Sequence, residues 1–167
     1  MLNHQSLDEP SNIQQLVLYR MSKVLALGGS IVTRLCEGQF GITRREWSVL
    51  AVLARAPKMT WKSLATQSGL DKSRLSRGVT SLVQKELARK TYLADRQLIL
   101  EITDKGRALY AELFPLARQV NLGLLQDLDA ETLACLDAAL VAMHERAQAL
   151  AAEMPLPKAE RRLGRQR

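Results

Sequence analysis

"LATQSGLDKSRLSRGVTSL", residues 64–82, is the stretch on which the fold turns. Gly69 separates two short helical patterns, and Asp71 offers the side-chain oxygen that caps the second of them. Leu70 and Leu75 hold the spacing of a hydrophobic staple across that cap. Leu75, Val79 and Leu82 then recur at helical intervals, which predicts a single inward stripe. Lys72, Ser73, Arg74, Ser76, Arg77 and Thr80 fall on the other sides. The stretch reads as a helix-turn-helix whose second helix carries its cations away from the core. Solvent alone accounts for such a face, and so does a polyanion; the rest of the chain has to decide.

Upstream, residues 13–37 predict a long helix, with Ile13, Leu16, Val17, Arg20, Val24, Leu27, Ile31 and Leu35 at spacings of three and four. Gly28 and Gly29 in its middle each weaken it by about 1 kcal/mol relative to Ala, and permit either a close helix approach or a bend. "GQFG" (38–41) ends it. Thr43 and Glu46 form a capping box for the next helix, whose inner face is Trp47, Leu50, Ala51, Leu53 and Ala54, with Pro57 as its stop. A third helix runs from Thr60 to Gln67.

Downstream the period changes. "ARKTYL" and "LILEI" flank "ADRQ", which predicts a tight β-hairpin with Arg96 at its tip. Thr103 caps a helix to about Leu128, kinked at Pro115, which cannot donate to the helical ladder. Asp129 caps a last helix whose apolar face is Leu133, Leu136, Leu140, Met143, Ala147 and Leu150. The fold class is therefore mainly α with a small β-hairpin wing. A winged helix-turn-helix spans 42–102, helical dimerisation segments span 11–37 and 103–153, and a flexible basic tail spans 154–167. The long helices carry more apolar surface than one winged lobe can cover. A second copy of the chain is the expected partner, with Leu16, Leu133, Leu136, Leu140, Met143 and Leu150 at the interface.

Composition narrows the function. Residues 58–97 hold 9 basic and 3 acidic side chains, net +6, against +7 for the whole chain. The tail 158–167 holds 5 basic and 1 acidic, net +4, while 103–153 hold 4 and 8, net −4. Charge segregated in this way is an electrostatic footprint for an anion. There is no run of 18 apolar residues and no signal-peptide pattern at the N-terminus, so the expected location is the cytoplasm, with no membrane partner. Cys36 and Cys135 are too far apart in sequence to suggest a framework and read as small hydrophobes. His4 and His144 lack ligand-spaced partners, which leaves no metal site, and no nucleophile–base pair or phosphate loop suggests an enzyme.

Four segments in order resemble the MarR family of bacterial transcriptional regulators, over roughly residues 13–152. They are "LYRMSKVLALGGSIV" (18–32), "GITRREWSVLAVLA" (41–54), "LATQSGLDKSRLSRGVTSLVQKEL" (64–87) and "DRQLILEITDKGR" (95–107). The chain departs from the family pattern in three places. Gly78 stands where a larger residue is usual, Glu86 replaces a glycine, and the wing loop is about one residue short.

The resemblance implies a homodimer that places its recognition helix in the major groove of double-stranded DNA and its wing in the minor groove. On that reading Lys72 and Ser73 position the phosphate backbone, while Arg74 and Arg77 present guanidinium forks to guanine. Ser76 and Thr80 contact base edges or phosphates, Thr60 and Lys62 contact phosphates, and Arg96 enters the minor groove. The resemblance also implies no cofactor but a small aromatic carboxylate as effector, lying between the dimerisation helices and the DNA-binding lobe, with Arg20 as its ion partner and Trp47 as an apolar wall. Binding there would favour a lobe spacing that no longer fits a palindromic operator, which is how such a repressor is released. Two other readings stand beside this one: a dimeric winged-helix adaptor without DNA readout, and a thiol-responsive regulator.

Overall fold

Asp71 Oδ1 accepts the Arg74 N–H at 2.8 Å and thereby starts the helix α4, Lys72–Gln84. In the computed structural model, which describes residues 7–56, 58–93 and 96–154, this cap is one of several that set the element boundaries. The elements before it are α1 (Val17–Arg34), α2 (Arg44–Arg55), β1 (Lys58–Thr60) and α3 (Trp61–Ser68). After it come β2 (Ala88–Tyr92), β3 (Leu98–Ile102), α5 (Asp104–Leu125) and α6 (Ala130–Glu153). Thr60 Oγ1 caps α3 by accepting the Ser63 N–H at 3.1 Å, so the helix begins one residue later than its pattern suggested. Gly69 closes α3 in the left-handed region at φ +62°, where a side chain is strained.

The first long helix is not continuous. Asn12 and Gln15 form a capping box around a short 3-10 turn, Ile13–Gln15, and Leu16 is extended at ψ 130°. Leu16 is therefore the residue that precedes α1, exposed, rather than a position inside a helix. The far end loosens into a π-type turn, Leu35–Gln39, from which the chain folds back as the Ile42 N–H donates to the Cys36 carbonyl at 3.0 Å. Gly28 and Gly29 neither stop nor break α1; they bring neighbours close. A Cβ on Gly28 would lie 3.1 Å from Leu124 Cδ1, and one on Gly29 would lie 2.5 Å from Arg44 Nη1.

The wing is one edge of a three-stranded antiparallel sheet in the order β1-β3-β2. The sequence pattern gave the β2–β3 hairpin but not β1, whose three residues pair Lys58 with Glu101, Met59 with Leu100 and Thr60 with Ile99. Leu100 and Ile102 enter the core, which Ile42, Val49, Leu50, Leu53, Leu64, Leu75, Val79 and Leu82 complete. On α2 the buried stripe is Glu46, Val49, Leu50 and Leu53, with Trp47, Ala51 and Ala54 only half-buried. This shifts the inner face by part of a turn from the one expected.

The exit of α4 departs from the glycine rule. Glu86 takes φ +61°, the Leu87 N–H donates to the Leu82 carbonyl at 2.9 Å, and the Glu86 N–H donates to Val83 at 3.0 Å. This is a Schellman motif with Glu in its left-handed position. Helix α5 locks onto that exit. Thr103 Oγ1 donates to the Glu86 carbonyl at 2.7 Å, and Lys105 Nζ reaches Glu86 Oε2 at 3.2 Å. Gly106 packs so closely that a Cβ would fall 2.1 Å from the Leu87 carbonyl oxygen.

The chain divides between Leu124 and Leu125 into two compact units. The second contains α6, begun by Asp129 Oδ1 accepting the Thr132 N–H at 2.8 Å. Helix α5 ends at Leu125, three residues short of the expected limit, and Pro115 lies within it. No residue of α6 is buried. Leu136, Leu140, Val141 and Leu150 are exposed in the single chain, as is Cys135. The tail cations Lys158, Arg161, Arg162, Arg165 and Arg167 lie outside the described residues, as do Pro57, His4 and the wing residues Ala94 and Asp95.

Candidate nucleic-acid interface

Helix α4 has one buried side, made by Leu75, Gly78, Val79 and Leu82. Lys72, Ser73, Arg74, Ser76, Arg77 and Thr80 are all exposed, so the structure brings the six expected α4 residues onto one outward surface. Two of the cations already have partners. Arg74 Nε lies 3.1 Å from Asp71 Oδ2, and Arg77 Nε donates to the Ser73 carbonyl at 3.3 Å. The Asp71 carboxylate therefore engages part of the Arg74 fork, whereas Arg77 is held only by a neutral acceptor. Thr60 and Lys62 sit at the start of α3. The Thr60 hydroxyl oxygen is occupied as the helix cap, and Lys62 is exposed.

At the wing the Leu93 N–H donates to the Gln97 carbonyl at 3.0 Å, the Arg96 N–H donates to Leu93 at 2.8 Å, and Arg96 takes φ +62°. Glycine is the residue that adopts such a φ without steric cost. An arginine there carries backbone strain of about 1–2 kcal/mol. Strain retained at an exposed cation is the kind found at functional positions.

Charge pairs anchor the lobe that carries this surface. Glu101 is buried in the sheet between its cross-strand neighbours, with Lys58 Nζ at 3.2 Å and Arg89 Nε at 2.5 Å. Those two hydrogen bonds, Arg89 first, hold its carboxyl below the usual range. Glu46 is also buried. Its Oε2 accepts the Thr43 N–H at 2.5 Å and faces Lys85 Nζ at 2.9 Å, which also donates to the Gly41 carbonyl at 2.8 Å. Burial pulls the Glu46 carboxyl upward. Hydrogen bonds from Ser81, Lys85 and the Thr43 N–H, with the Lys85 charge, together outweigh that pull, and its pKa lies below the ordinary value. The sequence offered Glu46 as a cap but gave no sign of its partner 39 residues away.

A second site lies on the other side of α2. A crevice of about 260 Å³ is walled by Val24 and Val32 of α1 and by Val120 and Leu124 of α5. Arg44, Trp47 and Asn121 supply its polar groups, and Gly28 and Gly29 give it room. Trp47 Nε1 is buried and has no hydrogen-bond partner among the described residues. Arg20 does not line this crevice; its Nε donates to the Gln14 carbonyl at 3.2 Å. Cys36 is fully buried, and burial pushes its thiol up, with Arg44 opposing and Glu37 adding to the rise. A thiol held protonated is a poor nucleophile. Among the described residues, no three His, Cys, Asp or Glu side chains are grouped to hold a metal ion, and no helix is long and apolar enough to cross a membrane.

A profile of the MarR family matches residues 40–96. A sequence search of curated proteins finds no match. Among solved structures, AbsC, a MarR family transcriptional regulator from Streptomyces coelicolor, superposes with a TM-score of 0.73 at 23% identity, covering 84% of this chain and 98% of its own. BpsR from Bordetella bronchiseptica, whose DNA binding is regulated by 6-hydroxynicotinic acid, gives 0.73 at 17% identity, covering 81% and 98%. A MarR family regulator from Silicibacter pomeroyi gives 0.68 at 21% identity, covering 87% and 94%. Residues 40–96 thus match the MarR family in sequence, and over most of its length the chain shares the fold of MarR family transcriptional regulators.

Proposed function

We propose that this protein is a homodimeric, sequence-specific DNA-binding regulator, a repressor of palindromic operators that a small aromatic carboxylate releases. One observation carries the DNA reading: α4 turns its whole polar face outward while its apolar side is sealed in the core. Lys72 and Ser73, in the first turn, meet phosphates, and Arg77, farther along, meets base edges. Arg96 on the wing reaches a minor groove, where its charge is best placed beside a narrow A-tract. An adaptor has no use for this distribution of cations. Selection from a randomised duplex pool by the purified protein should enrich a palindrome whose half-sites lie about one helical turn apart. Recovery of no enriched sequence would return the lobe to a protein-binding role.

The dimer reading rests on apolar surface. Ile13, Leu16, Leu18 and Leu27 at the N-terminal end, and Leu136, Leu140 and Leu150 on α6, are exposed in the single chain. Leu133 and Met143 are half-buried on the same helix.

The effector reading rests on the crevice beside α2. The Arg44 guanidinium provides a fork for a carboxylate, and the Trp47 indole N–H is a buried donor in need of an acceptor. The valine and leucine walls suit an aromatic ring. Calorimetry with a series of aromatic carboxylates, 6-hydroxynicotinate included, should find one that binds and releases the selected duplex. Arg44→Gln and Trp47→Phe should each weaken it. If the active acid binds both variants as tightly as the wild type, the crevice is not its site.

A further inference from the structure

Arg45 was not among the residues expected to meet DNA; it lies in α2, ahead of the α3–α4 pair and the wing that carry the expected ones. It occupies the first turn of α2, where that helix crosses the recognition helix α4. A groove of about 200 Å³ runs between the two, lined by Thr43, Arg45, Glu46, Arg77, Gly78 and Ser81. We propose that this groove seats a phosphodiester group of duplex DNA, with Arg45 as the cation that holds it and Arg77 left to the base edges beside it. The proposal rests on the DNA-binding reading given above.

Three features of the groove favour an anion. The first is charge. Two guanidinium groups share the groove, and among the described residues no carboxylate pairs with Arg45. Glu46 is the one acidic side chain in the lining, and its Oε2 is already balanced by Lys85 Nζ at 2.9 Å. The groove therefore keeps an excess of positive charge next to an exposed surface. The second feature is donor chemistry. Arginine presents a planar fork that fits the two non-bridging oxygens of a phosphodiester, and the Thr43 hydroxyl lies at the margin, while that of Ser81 is committed to Glu46. Arg77 commits only Nε, to the Ser73 carbonyl at 3.3 Å.

The third feature is Gly78. A Cβ there would lie 3.3 Å from Val49 Cγ2 and 3.9 Å from Arg45 Cγ. The glycine lets α2 and α4 approach until the Arg45 stem runs beside the recognition helix, and it leaves the floor of the groove open. A long side chain at 78 would fill that floor. Through this contact a residue of α2 joins the surface that α4 presents, and a phosphate beside α4 is held by a grip from a second helix. A grip of that kind fixes the depth of α4 in the groove without reading sequence.

The experiment uses the full-length protein, the duplex obtained by selection and a scrambled duplex, titrated across a sodium chloride series. Arg45→Gln should bind both duplexes roughly three- to tenfold more weakly than wild type, with the salt slope reduced by about one unit per half-site and the sequence preference intact. Arg55→Gln, at the far end of the same helix, removes the same charge and should change neither. Single neutral methylphosphonate substitutions along the duplex locate the contact. One position per half-site should penalise the wild type but not Arg45→Gln. Inorganic phosphate should compete no better than sodium chloride of equal ionic strength. The proposal is overturned if Arg45→Gln keeps the wild-type slope, if it stays sensitive at every methylphosphonate position, or if inorganic phosphate alone displaces the protein. Wild-type protein that binds no duplex at all would remove the DNA reading and this one together. Wild-type binding with an unchanged Arg45→Gln would remove this one only.

Discussion

Lys85 Nζ stands 2.9 Å from Glu46 Oε2, joining the last turn of the recognition helix to the first turn of α2 across 39 residues of sequence. The same ammonium group donates to the Gly41 carbonyl, and the Lys85 carbonyl accepts from Lys105 of α5 at 3.0 Å. The exit of α4 is thus tied to the elements on either side of it. For α4 to present a fixed surface to DNA, as proposed, its own position must be fixed, and this pair ties it to α2.

Glu46→Gln should destabilise the fold by roughly 1–3 kcal/mol at neutral pH, because it weakens a hydrogen-bonded charge pair and leaves Lys85 with a neutral partner. The pH dependence has a definite sign. The folded carboxyl titrates below its unfolded value of about 4.3, so its contribution is complete above that pH and is lost as pH falls through the folded pKa. Urea midpoints for wild type and Glu46→Gln should therefore begin to converge as pH falls below the unfolded value and meet once it has passed the lowered folded pKa. A gap that stays constant from neutral to acid would show that the carboxylate charge is not what stabilises the contact.

Arg77→Ala and Lys72→Ala should lose affinity in different ways. Arg77→Ala should cost about 1–3 kcal/mol per half-site on the selected operator and relax preference at one base pair. Lys72→Ala should weaken selected and scrambled duplexes alike and lower the salt slope by about one unit per half-site. Equal losses for both variants on both duplexes would dissolve the distinction between base contact and backbone contact.

Arg96→Gly separates stability from function. Glycine at φ +62° removes strain of about 1–2 kcal/mol but adds chain entropy to the unfolded state, for a net stability change between zero and about +1 kcal/mol. Affinity for operators with A/T-rich flanks should fall roughly tenfold at the same time. A thermal melt and a binding isotherm on one preparation decide the matter. If both stability and affinity fall, the arginine is structural.

Leu140→Glu tests the proposed dimer. Leu140 is 43% exposed on a helix that buries nothing in the single chain. Covering one such side chain is worth about 1.5–3 kcal/mol, and a buried glutamate reverses the gain. Sedimentation should give a dimer for the wild type and a monomer or unfolded chain for the variant. A wild-type monomer that keeps its thermal stability would exclude the interface.

The parts of this fold that the sequence reveals are those fixed within a few residues. Thr43 with Glu46, and Asp71 with the Arg74 N–H, are caps three residues across, and they set the starts of α2 and α4. The stripe Leu75, Val79 and Leu82 likewise needs no more than one helix to be seen. β1 was invisible because three residues carry no periodicity, and Lys58 and Thr60 become strand only by pairing with Glu101 and Ile99. The same limit applies at the sites. Arg74 and Arg77 stood out as cations on an unused face, but the Asp71 contact that ties up Arg74 is a matter of side-chain geometry. Arg44 gave no sign of its place at the crevice, because what brings it there is the approach of Gly29 from another helix. Gly78 looked like a flaw in the recognition helix. Packed against Val49, it is a contact instead.

Arg44, Arg45 and Glu46 are consecutive, and a helix turns about 100° per residue, so together they sweep about 200°, just over half a circle. Each accordingly has a different neighbour: Gly29 and the crevice for Arg44, Gly78 and its groove for Arg45, Lys85 for Glu46. Three contacts share a single turn of backbone, and a shift that accommodates a change at one of them displaces the other two. Substitutions here should not add. Double-mutant cycles between positions 44 and 46 should show coupling of about 0.5–3 kcal/mol, although the two side chains never touch the same partner. A replacement at one of the three positions should be tolerated or not according to which residues hold the other two.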